Sequence, residues 1–338
     1  MRTLLRLALT FLSFCWSVLA SSCRNENGQS VSWFVAFRKP GSAPRTYYVF
    51  DDTSTTASFR MVNNEYILAH LFDGIDLQSD QVLLWNDEPA KSEDASSSNG
   101  DVPNQTAHDK GVLYRNSKDN TGFYLLHSVP QFPATSGTSL NPVTPTASAY
   151  GQSFICVSSN SDASFQLVWN HVKSQNSQIY HNSFTYPDPP KPSQDVLDST
   201  LEGFRYVTKT SINLNEPYEQ LLAPLLKSSL LVESWGRPYE ANNCSATYQV
   251  VNNEHIQFGS EIFKSTSDHS KYCLAISQPN LLCVGGMNHM TSQAERGGSW
   301  LCFSNQNLYS AIKNSIWVAQ PFCTNSTGQL LKSLRMQE

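Results

Sequence analysis

Short apolar runs punctuate this chain, most of them too continuous to alternate cleanly with polar residues, and they predict strands covered on both faces. The first, Val31–Phe37 (Val-Ser-Trp-Phe-Val-Ala-Phe), is followed by strands over Tyr47–Phe50 and Asp80–Trp85. Gly111–Tyr114 and Phe123–Leu126 frame a turn over Asn116–Gly122, the second strand ending at His127-Ser128, and Ser153–Val157 reads as the next strand. Asn64–Phe72 reads as a short helix. Further on, Pro217–Lys227 sets Leu221, Leu222, Leu225 and Leu226 on one helical face, which Pro224 kinks or shortens. Ser229–Trp235 reads as a strand, and Asn305–Ile316, with Leu308, Ile312 and Ile316 four apart, as a closing helix.

Polar stretches divide these elements. Asn86–Ala107, rich in Ser, Asp, Asn and Pro, predicts an exposed loop that delivers the chain to His108, and Pro130–Ala147 predicts a second loop. Four prolines within Tyr186–Pro192 exclude regular structure, so the boundary between two halves is placed there, giving 21–188 and 189–338. Residues 1–20 read as a cleaved secretory signal, with Arg2 and Arg6 before an apolar run that ends in Val18-Leu19-Ala20. No later run reaches the roughly 20 apolar residues that a membrane helix needs, so no membrane span is expected.

Composition agrees with a globular class, since 40% of the 338 residues are hydrophobic and only 15% charged. Beyond Cys15 in the signal, seven cysteines remain at 23, 156, 244, 273, 283, 302 and 323. An odd number in an oxidising compartment leaves at least one thiol free or paired between chains, and the absence of a Cys-x-x-Cys pair argues against a structural zinc site. Sequons at Asn104, Asn243 and Asn325 suit a glycoprotein. Without Arg2 and Arg6 the chain carries 21 basic against 28 acidic residues, and its eight histidines bring it from about −7 to about +1 when protonated. A polyanion is repelled less in acid.

The candidate chemistry lies in three His-x-Lys triplets, His108-Asp109-Lys110, His171-Val172-Lys173 and His269-Ser270-Lys271. In an extended segment residues i and i+2 share a face, so an imidazole can meet a phosphorus atom while the ammonium holds the phosphoryl oxygens. Nineteen residues after His108 stands His127, and nineteen after His269 stands Asn288, each beyond a strand, turn and strand. The same count from His171 reaches Pro190 in the linker, so His171 and Lys173 are set aside as a solvated pair.

Ala107–Leu113 (Ala-His-Asp-Lys-Gly-Val-Leu), Gly122–Pro133, Asp268–Cys273 (Asp-His-Ser-Lys-Tyr-Cys) and Arg296-Gly297-Gly298 together resemble deoxyribonuclease II, in order and spacing from Cys23-Arg24-Asn25-Glu26 to Cys323. The resemblance implies an α/β (mixed α+β) fold of the phospholipase D type: a pseudodimer of two similar halves, each with a central β-sheet flanked by helices. It also implies an acid endonuclease of double-stranded DNA that needs no metal or other cofactor and leaves 3′-phosphate and 5′-hydroxyl ends. His108 and His269 become the paired imidazoles, Lys110 and Lys271 the phosphate holders, and His127 and Asn288 supporting hydrogen-bonding groups. The family usually has Gly-Asp before the Met-Asn and an arginine after it, whereas Gly286 and His289 stand here. Three disulfides are implied as well, Cys23–Cys156, Cys244–Cys323 and Cys283–Cys302, with Cys273 left as the odd thiol.

Phosphohistidine chemistry needs one neutral imidazole to attack and one protonated imidazole to release the 5′-oxygen. His108 is taken as the nucleophile and His269 as the acid, although the sequence is nearly symmetric between them. The alternative is a catalytically weak or inactive secreted relative that binds DNA or engages a receptor, favoured by Gly286 and His289 and opposed by the presence of all four core side chains. Lysosomal and secreted destinations share these sequence features, and the oligomeric state, a homodimer included, is left open.

Overall fold

The computed structural model describes residues 21–41, 45–63, 65–90, 106–144, 149–236, 238 and 240–323. The expected signal sequence and the sequons at Asn104 and Asn325 lie outside the described residues, while Asn243 is exposed. An opening hairpin joins β1 (Cys23–Arg24) to β2 (Ser30–Val31). A first large sheet follows, from β3 (Trp33–Arg38), β4 (Tyr47–Asp51), β5 (Arg60–Val62), β6 (Gln81–Trp85), β7 (Gly111–Arg115) and β8 (Gly122–His127). After a small hairpin of β9 (Ala134–Ser136) and β10 (Ser139–Asn141), it is completed by β11 (Gln152–Ser159) and β12 (Ile179–Asn182), in the spatial order β12-β6-β7-β8-β11-β3-β4-β5.

The second large sheet is built from β13 (Val196–Leu201), β14 (Phe204–Lys209), β15 (Leu230–Glu233), β16 (Val250–Phe258), β17 (Glu261–Lys264), β18 (Tyr272–Ala275), β19 (Leu281–Gly285) and β20 (Gly298–Ser304). Its order is β13-β14-β20-β19-β18-β15-β16-β17, and β21 (Ile316–Ala319) pairs with β16. The path β6-β7-β8-β11 in the first sheet thus recurs as β15-β18-β19-β20 in the second, antiparallel at every step and in the same chain order.

Alternate residues of one strand enter different cores, which explains the continuous apolar runs. Val35 and Phe37 of β3, Tyr124 and Leu126 of β8, and Tyr272 and Leu274 of β18 face a core shared by the two sheets. Phe34, Ala36, Phe123 and Leu125 face a second core behind the first sheet, and Cys273 and Ala275 a third behind the second sheet. Aromatic contacts join the sheets directly, Trp33 to Phe303 and Phe37 to Tyr272 with ring centroids 5.1 Å apart, and Tyr48 stacked on Phe258 at 4.5 Å.

Among the described residues four α-helices complete the fold, α1 (Tyr66–Phe72), α2 (Asp162–Ser174), α3 (Ala223–Leu226) and α4 (Gln306–Ser315). Within the expected Pro217–Lys227 helix, Tyr218–Leu222 winds as a π turn, Pro224 sits in the first turn of α3 where no amide hydrogen is needed, and Lys227 closes it in a left-handed conformation. The Asn305 side chain caps α4 by accepting from Leu308 N at 2.9 Å. None of the helices among the described residues is long and apolar enough to cross a membrane.

Several expectations need correction. Helix α2 was not among the expected elements, although Phe165, Val168, Trp169 and Val172 follow helical spacing and bury one face in the shared core. His171, expected in solvent, is buried: its ring stacks on Tyr206 at 4.2 Å, with Nδ1 2.9 Å from Thr208 Oγ1 and Nε2 3.1 Å from Ser199 Oγ. Lys173 remains half-exposed and pairs with Asp188 at 2.9 Å. The start of the Asn86–Ala107 loop is also buried, because Asn86 Nδ2 donates to Val129 O and Phe132 O at 3.0 Å; residues 91–105 lie outside the described residues. The loop over Pro130–Ala147 contains the β9–β10 hairpin.

All three disulfides implied by the resemblance are present, and Cys273 is a free, fully buried thiol. Cys283 and Cys302 lie directly opposite one another on β19 and β20, so their bridge ties two neighbouring strands.

Candidate active site

Strand register shows how the two His-x-Lys segments are placed. Lys110 immediately precedes β7 and Lys271 immediately precedes β18, so Gly111 and Tyr272 are equivalent positions. Gly111 lies opposite Trp85 of β6, and Tyr272 opposite Glu233 of β15; two residues further on, Asp87 and Trp235 therefore correspond. Following the ladder through the next two strands makes His127 correspond to Gly285, Ser153 to Ser299, Gly151 to Gly297, and Tyr150 to Arg296.

Each segment is anchored by the opposite sheet. His108 N donates to Gly297 O and His269 N to Gly151 O, both at 2.9 Å. Ser299 Oγ donates to Asp109 Oδ2 at 2.6 Å, and Ser153 Oγ accepts from Lys271 N at 3.1 Å. The His108 Nδ1 lies 2.6 Å from Gly286 O, a carbonyl that can only accept, so the proton sits on Nδ1 and the Nε2 lone pair is free. These reciprocal bonds bring His108, Lys110, His269 and Lys271 to one seam between the sheets.

Surroundings of the two imidazoles differ. Beside His108, the Asp87 carboxylate contacts Lys110 Nζ, lies 2.8 Å from Arg296 Nη2 and 3.8 Å from His108 Nε2. Arg296 is itself fixed by donating to Thr106 O at 2.8 Å and Ala107 O at 3.2 Å. Beside His269, the equivalent positions are aromatic: Tyr150 stacks on the imidazole at 4.4 Å and Trp235 lies against it at 4.7 Å. Lys271 Nζ donates to His269 O at 2.6 Å.

The supporting residues are both buried. His127 Nδ1 accepts from Val129 N at 3.2 Å, which puts the ring proton on Nε2, a buried donor with no partner among the described residues. Asn288 Oδ1 is likewise buried without one. By hydrogen bonding, however, His127 N meets Lys110 O as Gly285 N meets Lys271 O, so His127 and Asn288 are not equivalent positions. Both departures from the family pattern have physical explanations. A Cβ on Gly286 would lie 1.9 Å from Asp109 Oδ1, so Asp109 fills the space beside it. His289 points away into a buried polar cluster, with Nδ1 2.8 Å from Asn252 Oδ1 and Nε2 4.0 Å from Glu216.

With the geometry in view, comparison with known proteins decides the family. The family model for deoxyribonuclease II matches residues 22–322. The chain belongs to the deoxyribonuclease II family. Among its relatives, mouse deoxyribonuclease-2-beta is 29% identical over 96% of this chain and 98% of its own length. Cell-death-related nuclease 7 of Caenorhabditis elegans is 27% identical over 90% of this chain and 89% of its own, and plancitoxin-1 of Acanthaster planci 27% over 90% and 93%.

Electrostatics in this deoxyribonuclease II chain follow from burial. Burial and the neighbouring Lys110 push His108 well below the ordinary imidazole range, and burial with Lys271 and Lys110 does the same to His269. Burial, reinforced by Lys110, lowers the Lys271 ammonium to about 7. Burial raises Asp109 to about 7 and Asp268 to about 6, and lifts Glu233 well above its usual value. Burial alone would raise Asp87 too, but Lys110, His108 and Arg296 outweigh it and hold that carboxyl well below the ordinary range.

Asp87, Tyr150 and Trp235 had no place among the six sequence candidates, and Arg296 stood in the sequence only as part of the family motif. Asp87 and Trp235 each stand two residues beyond a strand end, but only the ladder reveals that they match.

Proposed function

We propose that this protein is an acid endodeoxyribonuclease that hydrolyses double-stranded DNA without a metal, through a phosphohistidine, leaving 3′-phosphate and 5′-hydroxyl ends. The observation that carries the reading is the meeting of two His-x-Lys pairs at one seam, each anchored by the opposite sheet. Similarity to proteins named deoxyribonuclease-2 supports DNA as the substrate.

In this mechanism His108 Nε2 attacks phosphorus, the bond from phosphorus to O5′ breaks, and O5′ takes a proton from His269. Water then attacks the phosphohistidine and gives its proton back to His269, and the 3′-phosphate leaves with His108 restored. The Gly286 carbonyl supports His108 as nucleophile by keeping the proton on Nδ1. Tyr150 and Trp235 support His269 as the acid, because a ring face stabilises an imidazolium by about 0.5–2 kcal/mol. Lys110 and Lys271 hold the non-bridging oxygens, with the His127 Nε2–H and the Asn288 side chain as further polar groups.

Acid dependence has a source in the site itself. Between about pH 8 and pH 5 Lys271 gains its charge while Asp109 and Asp268 lose theirs. Each change makes the seam more positive, and the bound phosphate charge then draws a proton onto His269. Disulfides and the sequence of residues 1–20 support a secreted or lysosomal destination.

The test is plasmid digestion at acidic pH in excess chelator, with the product ends mapped. Cleavage leaving 3′-phosphate ends is expected. Activity only with added divalent metal, or 5′-phosphate ends, would refute the mechanism.

A further inference from the structure

We infer that Asp87 is a displaceable internal counter-ion: in the free protein its carboxylate occupies the Lys110 end of the phosphate seat, and it must leave when a DNA phosphate arrives. The inference rests on the reading that the phosphate sits between Lys110 and Lys271. One carboxylate here contacts an ammonium, bonds a guanidinium at 2.8 Å and faces an imidazole nitrogen at 3.8 Å. Those three groups are the ones that would recognise a phosphoryl group. In-line attack requires phosphorus within roughly 3–3.5 Å of Nε2, and its oxygens then enter the space that Asp87 Oδ2 fills. The seat holds an anion before the substrate comes.

Strand register argues that this carboxylate is no requirement of the sheet architecture. The position equivalent to Asp87 on the second sheet is Trp235, and the position equivalent to Arg296 is Tyr150. There the equivalent position carries no carboxylate, and the lysine donates to a backbone carbonyl while Asp268 and Glu233 act on it from further off. Only the side that carries the attacking imidazole has the ionic arrangement. Because its three cationic or polar neighbours keep Asp87 ionised, acidification does not release it, and exchange for another anion does.

A 31P NMR titration with inorganic phosphate at acidic pH tests this on the full-length protein. Asp87→Asn keeps the side-chain shape without the charge, and should bind phosphate about tenfold tighter than the unaltered protein, equivalent to ~1.4 kcal/mol. Lys271→Ala should lose binding in the same titration. If Lys271→Ala binds normally, the phosphate seat itself is wrong and the counter-ion falls with it. If Lys271→Ala fails to bind while Asp87→Asn binds no tighter, the seat stands and the counter-ion role is refuted. A crystal of the unaltered protein soaked with tungstate covers the case of a variant that does not fold. Asp87 should then be found withdrawn from Lys110, and an intact Asp87–Lys110 contact beside a bound ion would overturn the proposal.

Discussion

Replacing Gly286 with alanine should damage both stability and catalysis through one clash. The added methyl falls 1.9 Å from Asp109 Oδ1 and 3.3 Å from Asp109 Cα. The carboxyl group has to turn away, yet its other oxygen accepts from Ser299 Oγ at 2.6 Å in a fully buried place. Losing that bond costs about 1–3 kcal/mol, and overpacking a closed site about 1–3 kcal/mol more. A loss of ~2–6 kcal/mol is therefore expected, measured as the shift of a urea unfolding midpoint at unchanged slope. Since the Gly286 carbonyl also fixes the His108 ring, plasmid cleavage should fall by about 100-fold. The decisive control is the double variant Gly286→Ala/Asp109→Ala. With the carboxyl gone the methyl has room, so the double variant should recover ~1–3 kcal/mol relative to the sum of the single losses. Additive losses, or a Gly286→Ala protein as stable as the unaltered one, would refute the steric argument.

Four further outcomes can be measured. The kcat/KM for DNA, which reports the free enzyme, should fall about tenfold per pH unit above about 7 as Lys271 loses its charge; a flat profile from pH 5 to 9 would contradict that assignment. Asp109 titrates near 7 when folded but near 3.8 when unfolded, so it penalises the native state above pH 7 and the penalty is relieved on acidification, making the fold about 2–3 kcal/mol more stable at pH 5 than at pH 8 from this group alone. Asp109→Asn should remove that increment from the pH dependence of unfolding, and an unchanged dependence would count against the assignment. His108→Ala and His269→Ala should each nearly abolish cleavage and combine non-additively. His171→Ala, which breaks a buried network that includes none of the four His-x-Lys side chains at the seam, should lower stability by about 1–3 kcal/mol and leave kcat unchanged; abolished cleavage there would mean that the wrong pairs were chosen.

The sequence made most strands legible because burial on both faces leaves uninterrupted apolar runs, as in Gly122–His127. His108, Lys110, His269 and Lys271 stood out by their spacing, and the structure brings their segments to one seam. Two kinds of feature were hidden. A histidine on a helix reads as solvated until the helix is seen to bury it, which is what misled the reading of His171. Counting along the chain also fails where turn lengths differ. Seventeen residues separate Lys110 from its ladder partner His127, but only fourteen separate Lys271 from Gly285, so the count that linked His127 to Asn288 joined positions that do not correspond. For the same reason Asp87 and Trp235, as unlike as two side chains can be, gave no sign of occupying equivalent places.

The largely exposed, proline-rich stretch of residues 187–195, between β12 and β13, has a consequence for the life of the molecule among proteases. Among the described residues no disulfide crosses it, since the bridges join residues 23 to 156, 244 to 323 and 283 to 302. A single cut there should give a two-chain protein that stays together through the shared core and keeps its activity. Once such a nicked form is denatured, neither fragment can rebuild a working centre alone, because each histidine borrows a backbone carbonyl from the other. Recovery of activity would then be second order in fragment concentration, whereas the uncut chain would recover at a rate independent of dilution.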